Sequence, residues 1–129
     1  MPEPTGARVL IIDDEAQIRR FLSISLRAQG YEVLEAENGT VGLETLASRG
    51  ADAVILDLGL PDLDGREVLA TLRTWSSVPV IVLSVRSNEA EKVKALDAGA
   101  NDYVTKPFGV QELSARLRAL LRLRPEDGQ

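Results

Sequence analysis

Acidic side chains follow two of the most apolar runs in this sequence. Asp13 and Asp14 come directly after residues 9–12, and Asp57 comes directly after residues 53–56. In a doubly wound sheet of strand order 2-1-3-4-5, ligands bind beyond the carboxyl ends of strands one and three, where the strand order reverses. If the two apolar runs are those strands, the three carboxylates converge at one edge of the sheet.

Converging carboxylates need a cation or a shared proton. Two of them about 5 Å apart repel by roughly 3 kcal/mol at an effective dielectric constant near 20. Either one carboxyl group is protonated or a hard dication lies among them, and we favour Mg²⁺, which prefers carboxylates, a carbonyl and water as ligands. The alternative is that such an acid only caps a helix or forms a turn. That alternative also fits Asp13 or Glu15 taken alone, and it is the better interpretation of Asp64, which precedes Gly65 and an apolar stripe.

A hydroxyl group and an ammonium group are predicted at the same edge. Ser84 directly follows the fourth apolar run, and Lys106 comes two residues after the fifth. Opposite three carboxylates, these groups can receive a phosphoryl group: Ser84 donates to one phosphoryl oxygen, Lys106 pairs with another, and Mg²⁺ holds a third. A serine at a strand end is usually a turn residue and a lysine before proline is usually solvated, so the prediction depends on the whole set.

Five apolar runs predict the strands that position these groups. They lie at residues 9–12, 31–34, 53–56, 80–83 and 103–104. Three are nearly continuous, which is typical of parallel strands covered on both faces. Between them lie segments whose apolar residues repeat with the spacing of a helix. Gly30, Gly50 and Gly99 follow such segments, where a residue that ends a helix is expected. Strand and helix alternate five times, which predicts an α/β fold, a (βα)5 doubly wound sandwich with a five-stranded parallel sheet.

The composition fits one globular domain. The chain has 129 residues, of which 44% are hydrophobic and 27% charged. It has no cysteine and no histidine, which excludes disulfides, thiolate sites, histidine bases and the usual zinc ligands. A net charge of −5 without a basic block argues against DNA binding by this segment, and no apolar run predicts a membrane span. We expect a cytoplasmic protein with an N-terminal tail at residues 1–7, one domain at 8–123 and the start of a linker at 124–129.

The motif set resembles the receiver domain of bacterial two-component response regulators, a fold of the flavodoxin/CheY-like type, over about residues 8–122. The residues that carry the resemblance are Asp13-Asp14, Asp57-Leu58-Gly59-Leu60-Pro61, Ser84 and Lys106-Pro107-Phe108. It implies that Asp57 takes a phosphoryl group from a sensor histidine kinase or a small phosphodonor. It further implies that Asp13, Asp14, Asp57 and the Gly59 carbonyl surround Mg²⁺.

The same resemblance implies a conformational switch. Lys106 neutralises the phosphorylated product, Ser84 moves toward the phosphoryl group, and Tyr103 swings inward into the space that Ser84 leaves. The Lys106-Pro107 peptide bond is expected to be cis.

Residues 92–103 and 112–118 resemble the winged-helix transcription-factor subfamily often called OmpR/PhoB, and residues 17–22, 75–79 and 106–109 are similar to its regulators of potassium transport. This likeness implies a homodimer on phosphorylation, formed by helix four, strand five and helix five, and contact with DNA only through a C-terminal domain beyond this chain. Asn101 stands where the subfamily usually carries an acid, which removes one possible charge contact. The implied interface consists of the pairs Lys92 with Glu112, Asp102 with Arg116 and Asp97 with Arg118, around Val93, Leu96 and Ala115.

Three other functions fit parts of the pattern. A phosphatase with an aspartyl-phosphate intermediate also places an aspartate after a parallel strand, but it needs a second acid where this chain has Gly59. A stand-alone receiver or protein-interaction module that is never phosphorylated would not need Ser84 and Lys106 beside the acids. A nucleotide-binding fold needs a glycine-rich loop after the first strand, where this chain has Asp13 and Asp14. We therefore predict a regulatory phosphoacceptor domain and not an enzyme.

Overall fold

Five strands and five helices alternate along the chain in the computed structural model, which describes residues 6–123. The strands are β1 (Arg8–Ile12), β2 (Glu32–Ala36), β3 (Ala53–Asp57), β4 (Val80–Ser84) and β5 (Asp102–Thr105). The helices are α1 (Ala16–Ala28), α2 (Gly39–Arg49), α3 (Gly65–Arg73), α4 (Glu89–Asp97) and α5 (Val110–Leu123). All five strands pair in parallel in the order β2-β1-β3-β4-β5, which confirms the predicted fold.

Two apolar layers hold the sheet between the helices. On one side, Leu10, Val54 and Val82 belong to a core that includes Leu46 of α2, Leu69 of α3 and Ala95 of α4. On the other side, alternate strand residues join Leu22 of α1 and Leu117 of α5. Every residue of β3 and β4 is buried, because parallel strands are covered on both faces. Strands β3 and β4, which end at Asp57 and Ser84, are therefore the most buried strands of the sheet.

Helix ends follow the sequence signals closely. Gly30, Gly50 and Gly99 have positive φ angles of 98°, 75° and 117° after α1, α2 and α4, which confirms them as helix-ending residues. Asp64 caps α3, since its side chain accepts from the backbone N–H of Arg66. The second strand was predicted to start one residue too early and to end two residues too early. The N–H of Tyr31 bonds to the carbonyl of Leu26, so Tyr31 belongs to the turn that closes α1.

The predicted outer boundaries fall mostly beyond what the structure describes. Residues 1–5 of the predicted tail and the predicted linker start at 124–129 lie outside the described residues. Within residues 6–123, none of the helices combines the length and the apolar character that crossing a bilayer requires.

Candidate phosphoryl-acceptor and metal site

The predicted site residues meet at the carboxyl edge of the sheet. Asp13 follows β1, and its N–H bonds to the carbonyl of Ala36 at the end of β2. Asp57 is the last residue of the fully buried β3 and pairs in register with Leu83 of β4. Asp13 and Asp57 therefore lie at the ends of two neighbouring strands and at one edge of the sheet, because parallel strands end on the same side.

The acids form one compact group. Asp13, Asp14 and Asp57 each have a carboxylate oxygen within 4.8 Å of the others. Asp13 is fully buried and Asp57 is 5% exposed, whereas Asp14 is exposed to solvent. Asp14 and Asp57 also line a surface cleft, through which a cation can reach the group. This donor set of hard oxygens fits Mg²⁺.

Lys106 lies against the acids. Its Nζ atom is 3.1 Å from Glu15 Oε1, 3.2 Å from Asp57 Oδ1 and 3.4 Å from Asp13 Oδ2. Register places it there: Ser84 pairs with Thr105, and the N–H of Lys106 donates to the Ser84 carbonyl at 2.8 Å. The peptide bond that follows, Lys106-Pro107, is cis, as predicted.

Burial and charge act in opposite directions on these groups. Burial raises the pKa of Asp57 above its usual range, and this effect outweighs the Lys106 charge, which lowers the pKa. Burial also raises the pKa of Asp13, although the Glu15 N–H donates to its carboxylate at 2.9 Å. The pKa of Lys106 is lowered by burial, but the hydrogen bond to Glu15 and the charges of Asp13 and Asp57 outweigh burial and raise it overall. One ammonium group therefore offsets only part of the cost of bringing these acids together.

The two predicted switch residues converge on one loop residue. Ser84 is 5% exposed, and its Oγ accepts from the N–H of Arg86 at 3.1 Å. Tyr103 is 8% exposed, and its hydroxyl donates to the carbonyl of Arg86 at 2.7 Å. The structure thus places Tyr103 in an inward position. The β4–α4 loop connects the serine beside the acids with the tyrosine on the α4 side.

A cleft of about 530 Å³ extends from the acids to the first turns of α3 and α4. Ser84, Lys106 and Gly59 line it, and so do three charged residues that the sequence analysis did not single out: Arg66, Arg86 and Glu91. Arg66 lies 3.5 Å from the carboxylate of Asp64 and 4.0 Å from that of Glu91. Arg66 and Glu91 lie in the first turns of α3 and α4, and Arg86 lies in the β4–α4 loop. Ordinary surface residues share these positions, so the sequence carried no distinct signal for them. This volume lies in the range of small-ligand sites.

The predicted dimer face consists of α4, β5 and α5. Val93 and Leu96 of α4 are both 46% exposed, and Ala115 of α5 is exposed as well. Within the single chain, Arg116 is 3.1 Å from Asp102 and 2.9 Å from Glu112. The predicted interface places both acids in pairs between chains. No partner chain is present, so the intermolecular pairs, including those of Lys92, Asp97 and Arg118, stay predictions.

Asn101 accepts hydrogen bonds that were not predicted from the sequence. Its side-chain oxygen accepts from the N–H of Val80 at 2.8 Å and from the guanidinium of Arg73 at 3.0 Å. An acid at this position could accept the same two bonds, so the uncommon residue type preserves the start of β4.

Comparison with known proteins assigns the chain to a family. The family model described as the response regulator receiver domain matches residues 9–118, and the chain belongs to this family. The chain is 59% identical over 114 residues to the KDP operon transcriptional regulatory protein KdpE of Escherichia coli, covering 88% of this chain and 51% of that protein. It is 57% identical, over the same share of this chain and 50% of the relative, to the transcriptional regulatory protein KdpE of Mycobacterium tuberculosis.

Solved structures agree with this assignment. The receiver domain of the Francisella response regulator 1452 superimposes with a TM-score of 0.87 at 31% identity, covering 91% of this chain and 98% of that one. The chain spans about half the length of the curated relatives it matches. The family match and the sequence identities make the chain a response-regulator receiver domain similar to the KdpE transcriptional regulators.

Proposed function

We propose that this domain is a phosphorylation switch in which Asp57 is the phosphoryl acceptor and a sensor histidine kinase is the donor. The observation that carries this proposal is the 3.2 Å contact between Lys106 and Asp57 inside a cluster of three carboxylates. A buried carboxylate beside a cation and open to a cleft is placed to act as a nucleophile.

The proposed transfer moves a phosphoryl group from a histidine of the kinase to Asp57. A carboxylate oxygen of Asp57 attacks the phosphorus of a phosphohistidine, the P–N bond breaks, and its electron pair returns to the imidazole nitrogen, which takes a proton from solvent water. The product is an acyl phosphate on Asp57. Lys106 offsets its negative charge, and Ser84 donates a hydrogen bond to a phosphoryl oxygen once its Oγ turns from the Arg86 N–H. Mg²⁺ held by Asp13, Asp14, Asp57 and the Gly59 carbonyl would supply charge neutralisation for the phosphoryl oxygens.

Intact-mass spectrometry tests the input step. Incubation with an acyl phosphate donor and Mg²⁺ is expected to add one phosphate to the wild type and none to Asp57→Ala. Glu44→Ala, which removes an exposed acid from α2, is the matched control and should be modified like the wild type. A phosphate on Asp57→Ala, or full modification in the presence of a chelator, would overturn the assignment.

We also propose that phosphorylation promotes a homodimer through α4, β5 and α5. The exposed Val93 and Leu96 form an apolar centre, and charged residues surround it. Exposed ion pairs contribute about 0 to 1 kcal/mol each, so the charges select the register and the apolar patch supplies affinity. Analytical ultracentrifugation should show a shift toward dimer when Mg²⁺ and beryllofluoride, a phosphoryl mimic, are added. Leu96→Glu should abolish that shift, and a dimer that persists in this variant would contradict the interface.

A further part of the proposal concerns DNA, which this chain is not expected to contact itself. Since the curated relatives are about twice as long and are named as transcriptional regulators, we propose a cytoplasmic regulator whose DNA contacts lie in a C-terminal winged-helix domain. The KDP operon in the name of the Escherichia coli relative makes potassium-transport genes the first targets to examine.

A further inference from the structure

Glu15 directly precedes α1, at the N-cap position, yet its side chain does not cap the helix. In α2, α3 and α4, the cap residues Asn38, Asp64 and Asn88 all accept a hydrogen bond from the first turn. Glu15 has the extended backbone of a cap residue, with φ of −87° and ψ of 109°, but no side-chain cap bond. The first turn of α1 also carries no acid. The side chain of Glu15 therefore does not act as a helix cap, although acidic groups ordinarily stabilise a helix N-terminus.

The side chain of Glu15 reaches Lys106 instead. At 3.1 Å, the Glu15 contact is the shortest of the three carboxylate contacts that Lys106 makes in the described structure. The other two come from Asp13 and Asp57, which belong to the acid cluster. Glu15 lies outside that cluster and is 57% exposed, whereas Lys106 is 11% exposed. A cation bound by the cluster would therefore leave the pair between Glu15 and Lys106 in place.

We propose that Glu15 is a positioning residue that competes with the phosphoryl group for the ammonium of Lys106. The inference rests on the proposed function, since it needs a phosphoryl group on Asp57. To contact a phosphoryl oxygen, Lys106 gives up a carboxylate partner, and Glu15 is the only one of the three outside the acid cluster. Its negative charge at the mouth of the cleft also opposes an incoming anion. Glu15 thus keeps the phosphorylated state weaker than the acids, Ser84 and Lys106 alone would make it.

Beryllofluoride binding at saturating Mg²⁺, followed by fluorine NMR, tests the proposal. Glu15→Gln keeps the size and hydrogen-bonding capacity of the side chain and removes its charge. It should bind the mimic about threefold to fivefold more tightly than the wild type, because an ion pair with an exposed carboxylate contributes up to about 1 kcal/mol. Glu44→Gln, an exposed acid on α2, is the matched control for net charge and should bind like the wild type.

A double-mutant cycle separates competition for Lys106 from a general charge effect. In a Lys106→Ala background, Glu15→Gln should change the affinity less than twofold, because the ammonium that both anions share is gone. If Lys106→Ala does not fold, Lys106→Met, which keeps the apolar stem, takes its place. Equal tightening in both backgrounds, or unchanged or weaker binding by Glu15→Gln alone, would overturn the role of Glu15.

The same titration distinguishes this failure from failure of the proposed function. If the wild type binds beryllofluoride and Asp57→Ala does not, the phosphoryl site stands whatever Glu15 does. If the wild type does not bind it at all, the proposed function and the role of Glu15 both fall.

Discussion

Helices α3 and α4 have the same length, nine residues, and both pack on the same side of the sheet, but they are held very differently. Helix α3 buries Gly65, Val68, Leu69 and Leu72. Helix α4, all of whose residues are described, buries Ala95 alone and exposes two large apolar side chains. The helix beside the acceptor is fixed by packing, and the helix on the proposed output face is not.

This difference suits a switch. A reacting group needs rigid support, and Asp57 ends a fully buried strand next to α3. A moving element is drawn from the least stable parts of a fold, which are those with few buried apolar contacts. The β4–α4 loop, where Ser84 and Tyr103 both contact Arg86, leads directly into the weakly packed helix. The contrast between α3 and α4 can therefore be tested by matched substitutions.

The largest expected difference is in apolar packing. Leu69→Ala should lower the free energy of unfolding by about 2 to 5 kcal/mol, because it leaves a cavity under α3. Leu96→Ala should change it by less than about 0.5 kcal/mol, since Leu96 is half exposed on α4. Urea unfolding followed by circular dichroism measures both. Similar losses in the two variants would show that α4 is packed as firmly as α3.

The next difference concerns the start of α3. A Cβ atom on Gly65 would lie 2.5 Å from the Cα of Leu58 and 2.9 Å from the carbonyl of Asp57, so the backbone has to shift. Gly65→Ala should cost about 1 to 3 kcal/mol and slow phosphorylation, because it displaces the acceptor. Gly109→Ala meets nothing within 4 Å and is the control. Normal phosphorylation of Gly65→Ala would mean that the close approach of α3 does not position Asp57.

The smallest difference is in the helix caps. Asp64→Ala and Asn88→Ala each remove one cap bond and should each cost about 1 kcal/mol at pH 7. The hydrogen bond from the Arg66 N–H holds the pKa of Asp64 below its ordinary 3.8. Its contribution is therefore complete above pH 3.8 and is lost as the pH falls through the lower folded-state pKa.

Asn88 does not titrate, so only the α3 cap should depend on pH. Urea midpoints at pH 7 and at pH 3 measure this dependence. A loss for Asp64→Ala that stays constant over that range would contradict the charge of Asp64 as the source of its capping strength.

The parts that followed from sequence depend on short-range patterns. Apolar runs located the strands to within two residues, and glycine and aspartate marked the helix ends. The converging acids followed from where two strands end. Those signals are local, and the parallel topology then brings distant residues together.

The parts that did not follow depend on long side chains. Arg73 donates to the carbonyls of Gly99, Ser76 and Val78 and to Asn101, and so joins the end of α3 to the turn before β5. Carbonyl groups occur at every residue and leave no mark in a sequence. The contact between Glu15 and Lys106 is equally hidden, because a flexible glutamate after a strand can cap a helix, remain solvated or reach across the cleft.

The most direct test of the central claim locates the phosphate. After incubation with an acyl phosphate donor and Mg²⁺, borohydride reduction converts an aspartyl phosphate to homoserine, and peptide mass spectrometry finds the altered residue. We expect homoserine at position 57 and none at positions 13 or 14. Homoserine at another aspartate, or no conversion in folded protein with Mg²⁺ present, would contradict the assignment of Asp57 as the acceptor.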